Sequence, residues 1–288
     1  MVPVAEQAAE PAELSGGRAG LAAAGARRPR AAPAEPARRE VLGYPLVDVG
    51  VEGLIDVLVG RAAAGRRTTA AYLNAHTWNL ADRDAEFRRA LLACDVLYAD
   101  GISLVWAARR LGSPLPERMT SADYAMEFAR RCAEHGLSLY LLGGGPGIAA
   151  AAGAALAQAA PGLRVAGARH GFFGDGDSAA VIDEINAAAP DVLLVGMGSP
   201  RQERWLVDHA GALGAPLGWC VGALFDYLAG VERRAPRWMC RMGLEWLFRL
   251  AVDPEGKWRR YLVGNARFVW RVLSARRTTG RIVEGGGG

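Results

Sequence analysis

Short apolar, strand-like runs recur along the middle of this 288-residue chain, several of them continuous, each separated from the next by a segment whose apolar positions repeat at helical spacing. The runs are Thr69–Leu73, Val96–Ala99, Ser138–Leu142, Leu163–Ala168, Val192–Val195 and Leu217–Val221. They are too short for helices, and several carry no polar residue. That is the pattern of strands in a parallel sheet covered on both faces. Between them, Asp84–Ala93, Ile102–Leu111, Ser121–His135, Ser178–Ala188 and Pro200–Leu213 read as amphipathic helices, and 148–159 as an Ala-rich one. Regular alternation of this kind predicts an α/β fold with a Rossmann-like, doubly wound, mostly parallel sheet. Ligands in such sheets sit at the carboxyl ends of the strands, so chemistry is expected just after each run.

The uncharged stretch Gly136–Leu163 is long enough to span a bilayer, but Gly143-Gly-Gly-Pro-Gly147 divides it into a strand and a helix. A buried β-turn-α unit is therefore expected, and no transmembrane helix. Residues 1–39, rich in Ala, Pro, Glu, Gly and Arg, cannot bury enough surface to offset ordering entropy and are expected to be disordered. They also lack the apolar core of a signal peptide. The expected organisation is a 40–231 α/β core, a helical basic appendage over 232–278, and a disordered 279–288 tail. Four cysteines (Cys94, Cys132, Cys220, Cys240) form no C-x-x-C pair, so neither a disulfide framework nor a zinc site is indicated, and a reducing cytoplasm is the plain reading.

Charge sharpens this division. From Arg233 to Arg281 there are 13 basic residues against three acids, a balance of +10 in a chain whose total is +4. Such a segment suits phosphates, an anionic membrane surface, or both. Past Lys257, Trp258, Tyr261, Leu262, Phe268, Val269, Trp270 and Leu273 alternate with Arg259, Arg260, Arg267, Arg271, Arg276 and Arg277. This reads as an interfacial helix, or as a packed terminal helix with a solvated charged face.

The strand ends carry the candidate chemistry. Asp100, followed by Gly101, is placed to act as a general base or to cap the next helix. Asn74 can bond a ligand or tie its own turn, and His76 is a catalytic or a loop histidine. The Gly143 turn can meet a diphosphate at a helix N-terminus or simply turn the chain; it is not a complete G-x-G-x-x-G. Gly196-Met-Gly198-Ser-Pro200-Arg-Gln202-Glu203 permits close backbone approach and projects Gln202 and Glu203 toward a nucleobase or sugar. Asp82-Arg-Asp84 and Asp175-Gly-Asp177 match a D-x-D, but both sit at helix starts, where acids favour the dipole. No P-loop, H-E-x-x-H or G-x-S-x-G is present.

Taken in order, Asn74-Ala, Asp100-Gly101, Leu142-Gly-Gly, Gly171-Phe-Phe, Gly196-x-Gly198-x-Pro200-x-Gln202-Glu203, Gly222-x-x-Phe225-Asp226, Gly230, Arg234-Ala-Pro236 and Gly243-Leu-Glu245-Trp246-Leu-x-Arg249-Leu resemble the WecG/TagA/CpsF glycosyltransferases. The resemblance runs from about Leu42 to Arg271. It implies an inverting bacterial transferase that moves a hexose-type sugar (N-acetylmannosamine, its uronic acid, or glucose class) from a UDP-sugar. The acceptor is an undecaprenyl-diphosphate-linked sugar, in cell-wall or exopolysaccharide synthesis.

The resemblance further implies Asp100 as base, and Arg234, Arg237 and Arg249 as diphosphate ligands on an appendage that covers the site. Asn74 and Gln202 position sugars, with Gly101, Gly143, Gly198, Pro200 and Glu203 also placed against substrate. Asp226 pairs with the arginines or contacts substrate, and Glu245 does likewise. No metal and no cofactor are called for. The partners are the UDP-sugar, the lipid-linked acceptor and the anionic inner face of the cell membrane, with a homo-oligomer open and no nucleic acid. Tyr72 stands where some relatives carry Thr, and Ser121 where relatives usually carry Gly. Two rival classes are an NAD-type oxidoreductase on the same sheet and a non-catalytic, Arg-rich membrane- or nucleic-acid-binding protein.

Overall fold

The computed structural model describes residues 34–275 and 282–283. Six parallel strands form the central sheet: β3 (Thr68–Leu73), β4 (Val96–Ala99), β5 (Ser138–Gly143), β6 (Arg164–Arg169), β7 (Val192–Gly196) and β8 (Leu217–Cys220), in the order β4-β3-β8-β7-β5-β6. Each begins and ends within one residue of the apolar run that announced it. Successive side chains in a strand face opposite sides, and here both sides are covered. Leu139 and Leu141 of β5 join one core with Trp219, while Tyr140 and Leu142 join the other with Val195. Two cores on one sheet make the fold doubly wound.

Helices α1 (Val51–Ala63), α2 (Ala75–Ala81), α3 (Ala85–Ala93), α4 (Ile102–Leu111), α5 (Ser121–Glu134), α6 (Ile148–Ala159), α7 (Ser178–Ala188), α8 (Arg201–His209) and α9 (Leu224–Leu228) cover the two faces. Beyond them lie α10 (Arg237–Arg241), α11 (Glu245–Val252), α12 (Pro254–Trp258), a π-helical turn at Arg259–Val263, and α13 (Gly264–Ser274). This last helix returns to the core and packs on α2 and α4. Phe268 and Val272 are buried there, the Phe268 ring meets Trp78 edge-on at 5.7 Å, and Asn79 Nδ2 donates to the Gly264 carbonyl at 2.8 Å. Arg267 and Arg271 pair with Asp82 at 2.5 and 3.4 Å.

A second, antiparallel sheet was not announced by the hydrophobic pattern. β1 (Arg38–Val41) and β2 (Tyr44–Val47) form a hairpin through Leu42 and Gly43, both at positive φ, and β9 (Ile282–Val283) pairs with Arg38 and Arg39. Structure therefore begins inside the segment expected to be disordered at 1–39, and reaches into the expected 279–288 tail. The physical reason lies in paired backbone and a buried charge. Arg61 is only 1% exposed and needs a counter-ion, which Glu35 supplies at 2.6 Å. No helix among the described residues is long and apolar enough to cross a membrane.

Candidate active site

Parallel register places two strand ends side by side. Leu73 of β3 is opposite Ala99 of β4, so the next residues, Asn74 and Asp100, emerge together, and the Asp100 N–H donates to the Leu73 carbonyl at 2.8 Å. Gly101 then turns the chain into α4 with φ at +86°, a conformation that strains any residue with a Cβ. Asn74 is the N-cap of α2: its Oδ1 accepts from the backbone N–H of His76 and Thr77, both at 3.0 Å. With the oxygen committed to the cap, Nδ2 is left to donate to Asp100 Oδ2 at 3.0 Å. Asn74 thus ties its own turn and reaches the candidate base at once.

The other carboxylate oxygen is held from a third segment. The Met119 N–H donates to the Ala99 carbonyl at 3.1 Å, which lays the strand-like 118–120 segment along β4. Thr120 then donates its hydroxyl to Asp100 Oδ1 at 2.9 Å. Burial raises the Asp100 carboxyl above its ordinary value; the Asn74 and Thr120 donors, and Arg249 more weakly, oppose that rise, while Glu245 adds to it. The result is an oriented carboxylate that wants a proton and still faces open space.

That space is a cavity of about 500 Å³ between the strand ends and the appendage. Its floor includes Asn74, Asp100, Gly101 and Thr120, and its roof Glu245, Trp246, Arg249, Arg260 and Tyr261. Glu245 Oε1 accepts from Arg249 Nη2 at 2.6 Å, and Glu245 Oε2 lies 3.8 Å from Arg118 Nη1. Arg118 also pairs with Asp123 at 2.8 Å, and Asp123 with Arg234 at 2.6 Å. The Tyr227 ring lies under both Arg249 and Arg234, at 5.1 and 5.9 Å. Burial alone would depress the Arg249 guanidinium, but the surrounding Tyr227, Tyr261 and Glu245 outweigh it. These contacts make a chain of alternating charge from Arg234, which does not line the cavity, to Arg249 inside it.

Arg260, read from the sequence as part of a membrane-facing set, lines the cavity instead. It makes no ion pair with any described residue, and its Nε is buried without a hydrogen-bond partner. Burial, with Arg260 second, lowers the His76 imidazole to about 4, so His76 is neutral at pH 7. Arg118 and Thr120 carried no sequence signal beyond their place beside Ser121, because only the 118–120 segment's path along β4 brings them to Asp100.

Other expected site residues lie elsewhere. Gln202 and Glu203 are fully buried and do not line the cavity. Gln202 Oε1 accepts from the Gly222 N–H at 3.1 Å, and Glu203 Oε1 accepts from Gln202 Nε2 and Ser199 Oγ at 2.7 and 2.6 Å. This tie knits the ends of β7 and β8, and Tyr72 joins it at 3.3 Å from both Ser199 Oγ and Gln202 Nε2. Gln202, expected to position a sugar, is thus placed with its Oε1 on the Gly222 backbone. Gly198 and Pro200 belong to the same loop, outside the cavity lining.

Gly143 is also structural here: a Cβ on it would lie 2.2 Å from the Gly196 carbonyl oxygen, so it is glycine because β5 and β7 touch. Its turn bonds the neighbouring loops, Gly144 N–H to Gly196 and Gly171 N–H to Gly144. Arg237 opens α10, and the role expected of its side chain lies outside the described residues. No ion pair joins Asp226 to a described arginine; Glu245 holds that place. The D-x-D acids cap and pair: Asp84 caps α3 and binds Arg204, Asp82 holds α13, and Asp177 accepts from the Gly174 N–H at 3.0 Å.

One comparison with known proteins bears on this geometry. The model of the glycosyl transferase WecG/TagA/CpsF family matches residues 39–282, a span that takes in the Asp100 corner and the arginines above it.

Proposed function

The chain belongs to the WecG/TagA/CpsF family of glycosyltransferases, and from that premise we propose that it is an inverting transferase acting on a UDP-sugar and a polyprenyl-diphosphate-linked acceptor sugar. The observation that carries this reading is Asp100, held on both oxygens by Asn74 and Thr120 at the floor of a cavity roofed by guanidinium groups. Asp100 takes the proton of the acceptor hydroxyl as that oxygen attacks the anomeric carbon. The bond from this carbon to the UDP phosphate breaks, and its electron pair leaves with UDP. A positioned base contributes about 10²–10⁴-fold in rate.

The departing diphosphate gains charge, and planar cations stabilise it in the transition state. Arg260 is available without exchange of partners, while Arg249 and Arg118 shift from Glu245 to phosphate oxygens. Arg234, outside the cavity lining, acts through Asp123 on Arg118. His76, being neutral, adds no charge against Asp100. The substrate roles expected of Gln202, Glu203, Gly198, Pro200 and Gly143 become support: they keep the strand ends at fixed height beside the cavity.

The same reading puts the appendage on the inner membrane surface. Trp238, Trp258, Leu262, Trp270 and Leu273 are exposed on it beside the exposed Arg259, and Arg271, half exposed, borders them while it shares Asp82 with Arg267. Each basic residue at an anionic leaflet contributes about 1 kcal/mol, so a few suffice for reversible docking.

UDP release tests the proposal. A panel of UDP-sugars is offered with a short-chain GlcNAc-diphosphate-lipid, to wild type and to Asp100→Asn. Acceptor-dependent release from one donor, lost in the variant, is the expected result. Undiminished release in the variant would move the base elsewhere; no release from any donor would remove the proposal.

A further inference from the structure

The cavity has a second chemical character that proton transfer and diphosphate binding do not use. Ile102 and Trp106 are one helical turn apart on α4, and so share a face. The opposite face of that helix is buried through Leu104, Val105, Ala108 and Leu111. Both Ile102 and Trp106 line the cavity, yet remain 46% and 40% exposed, and Val269 of α13 lines it at 41%. Large apolar groups that line a cavity and stay this open stand at its mouth, and the described chain covers them only in part. Such a patch marks a ligand surface when it adjoins a polar site.

The adjoining groups say which ligand. Arg249, Arg260 and Arg118 occupy the same cavity, so anion-binding and hydrocarbon-binding surfaces meet within about 500 Å³. A nucleotide sugar offers no hydrocarbon to such a mouth. A prenyl diphosphate offers both parts, joined at the right place. The apolar surface also continues outward: Gly243 touches Ile102 so closely that a Cβ would lie 2.7 Å from Ile102 Cγ2, and the next residue back, Met242, is exposed, as is Leu273 one turn beyond Val269.

We propose that Ile102, Trp106 and Val269 form a subsite for the first isoprene units of the acceptor's lipid chain, at the mouth of the arginine-lined cavity that its diphosphate-linked sugar enters. This deepens the transferase reading and rests on it for the acceptor's identity, but its test does not need turnover. Isothermal titration of the full chain with farnesyl diphosphate and with ethyl diphosphate isolates the contribution of the hydrocarbon.

Wild type should bind farnesyl diphosphate about tenfold more tightly or better, since one buried apolar side chain's worth of contact is enough for that factor. Trp106→Ala and Ile102→Ser should erase most of the difference and leave ethyl diphosphate binding unchanged. Val269→Ser, on the facing wall, should do the same if either α4 variant fails to fold. Arg249→Ala should weaken both ligands alike.

Equal affinity for the two ligands in wild type, or a preference that survives all three apolar substitutions, would overturn the subsite. A weaker hold on ethyl diphosphate in the Trp106 and Ile102 variants would also overturn it, because the mouth would then act on the head group. None of these outcomes depends on the UDP-sugar panel, so failure of the subsite and failure of the transferase reading are separately visible.

Discussion

Two carboxylates, Asp100 and Glu203, sit after parallel strands at the same edge of the sheet, and burial raises both above their ordinary values. They differ in what surrounds them. Asp100 has a donor on each oxygen and still opens into the cavity; Glu203 is fully enclosed, and its Oε2 has no partner. A perturbed carboxylate is therefore not enough to mark a base. What separates the two is access combined with orientation: Asn74 and Thr120 leave Asp100 one direction to face, and that direction is empty space beneath arginines.

Substituting each in turn presses hardest on this contrast. Asp100→Asn should cut kcat by about 10²–10⁴-fold with the fold intact. Retention of more than a tenth of wild-type kcat would erase the distinction. Arg249→Ala comes next, with an expected loss of about 10²–10³ in kcat, the cost of removing one transition-state donor. A change confined to KM would place Arg249 in ground-state binding only.

Thr120→Val probes orientation rather than identity. Loss of the donor raises the Asp100 carboxyl further, and the active form is the deprotonated one. The acid limb of the kcat/KM profile should therefore move to higher pH, with a loss that is largest on the acid side and fades as pH rises. Thr120→Ser should restore the wild-type profile. An unmoved limb with a uniform loss would mean that Thr120 only supports the fold.

The smallest effect is expected from Glu203→Gln. A carboxyl raised in the folded state makes the protein lose stability as pH rises from the ordinary carboxylate range through the raised value. Melting temperatures followed upward over that range should fall for wild type and stay flatter for the variant. At neutral pH the stability difference should be about 1 kcal/mol or less, and kcat close to unchanged. A large loss of kcat without unfolding would return Glu203 to the site.

Much of this was legible in the residues. Apolar runs located all six strands of the central sheet, most plainly the inner ones, because a strand covered on both faces has few polar positions to hide it, whereas the edge strand β6 carries Arg164 and Arg169 and is mostly half-buried. Asp100 and Asn74 followed, because a parallel sheet sends the residue after each strand to one edge whatever else the chain does. The small antiparallel sheet escaped, since Arg38–Val41 has no apolar run and its partner at Ile282–Val283 is almost the whole chain away. Gln202 and Glu203 stand on the predicted helix after the predicted strand, yet both are buried, Gln202 on the Gly222 backbone and Glu203 on Gln202 and Ser199.

What the sequence alone determined is therefore the scaffold and the address of its candidate site, because both follow from local periodicity and from the direction of parallel strands. Only tertiary structure decided which side chains at that edge meet open space. It also decided that Arg249 and Arg260 roof the cavity, that Thr120 holds the far oxygen of Asp100, and that Ile102 and Trp106 stay uncovered at the mouth. Those outcomes depend on how the appendage docks through α13 on α2. They are set by packing between segments far apart in the chain, which no local pattern records.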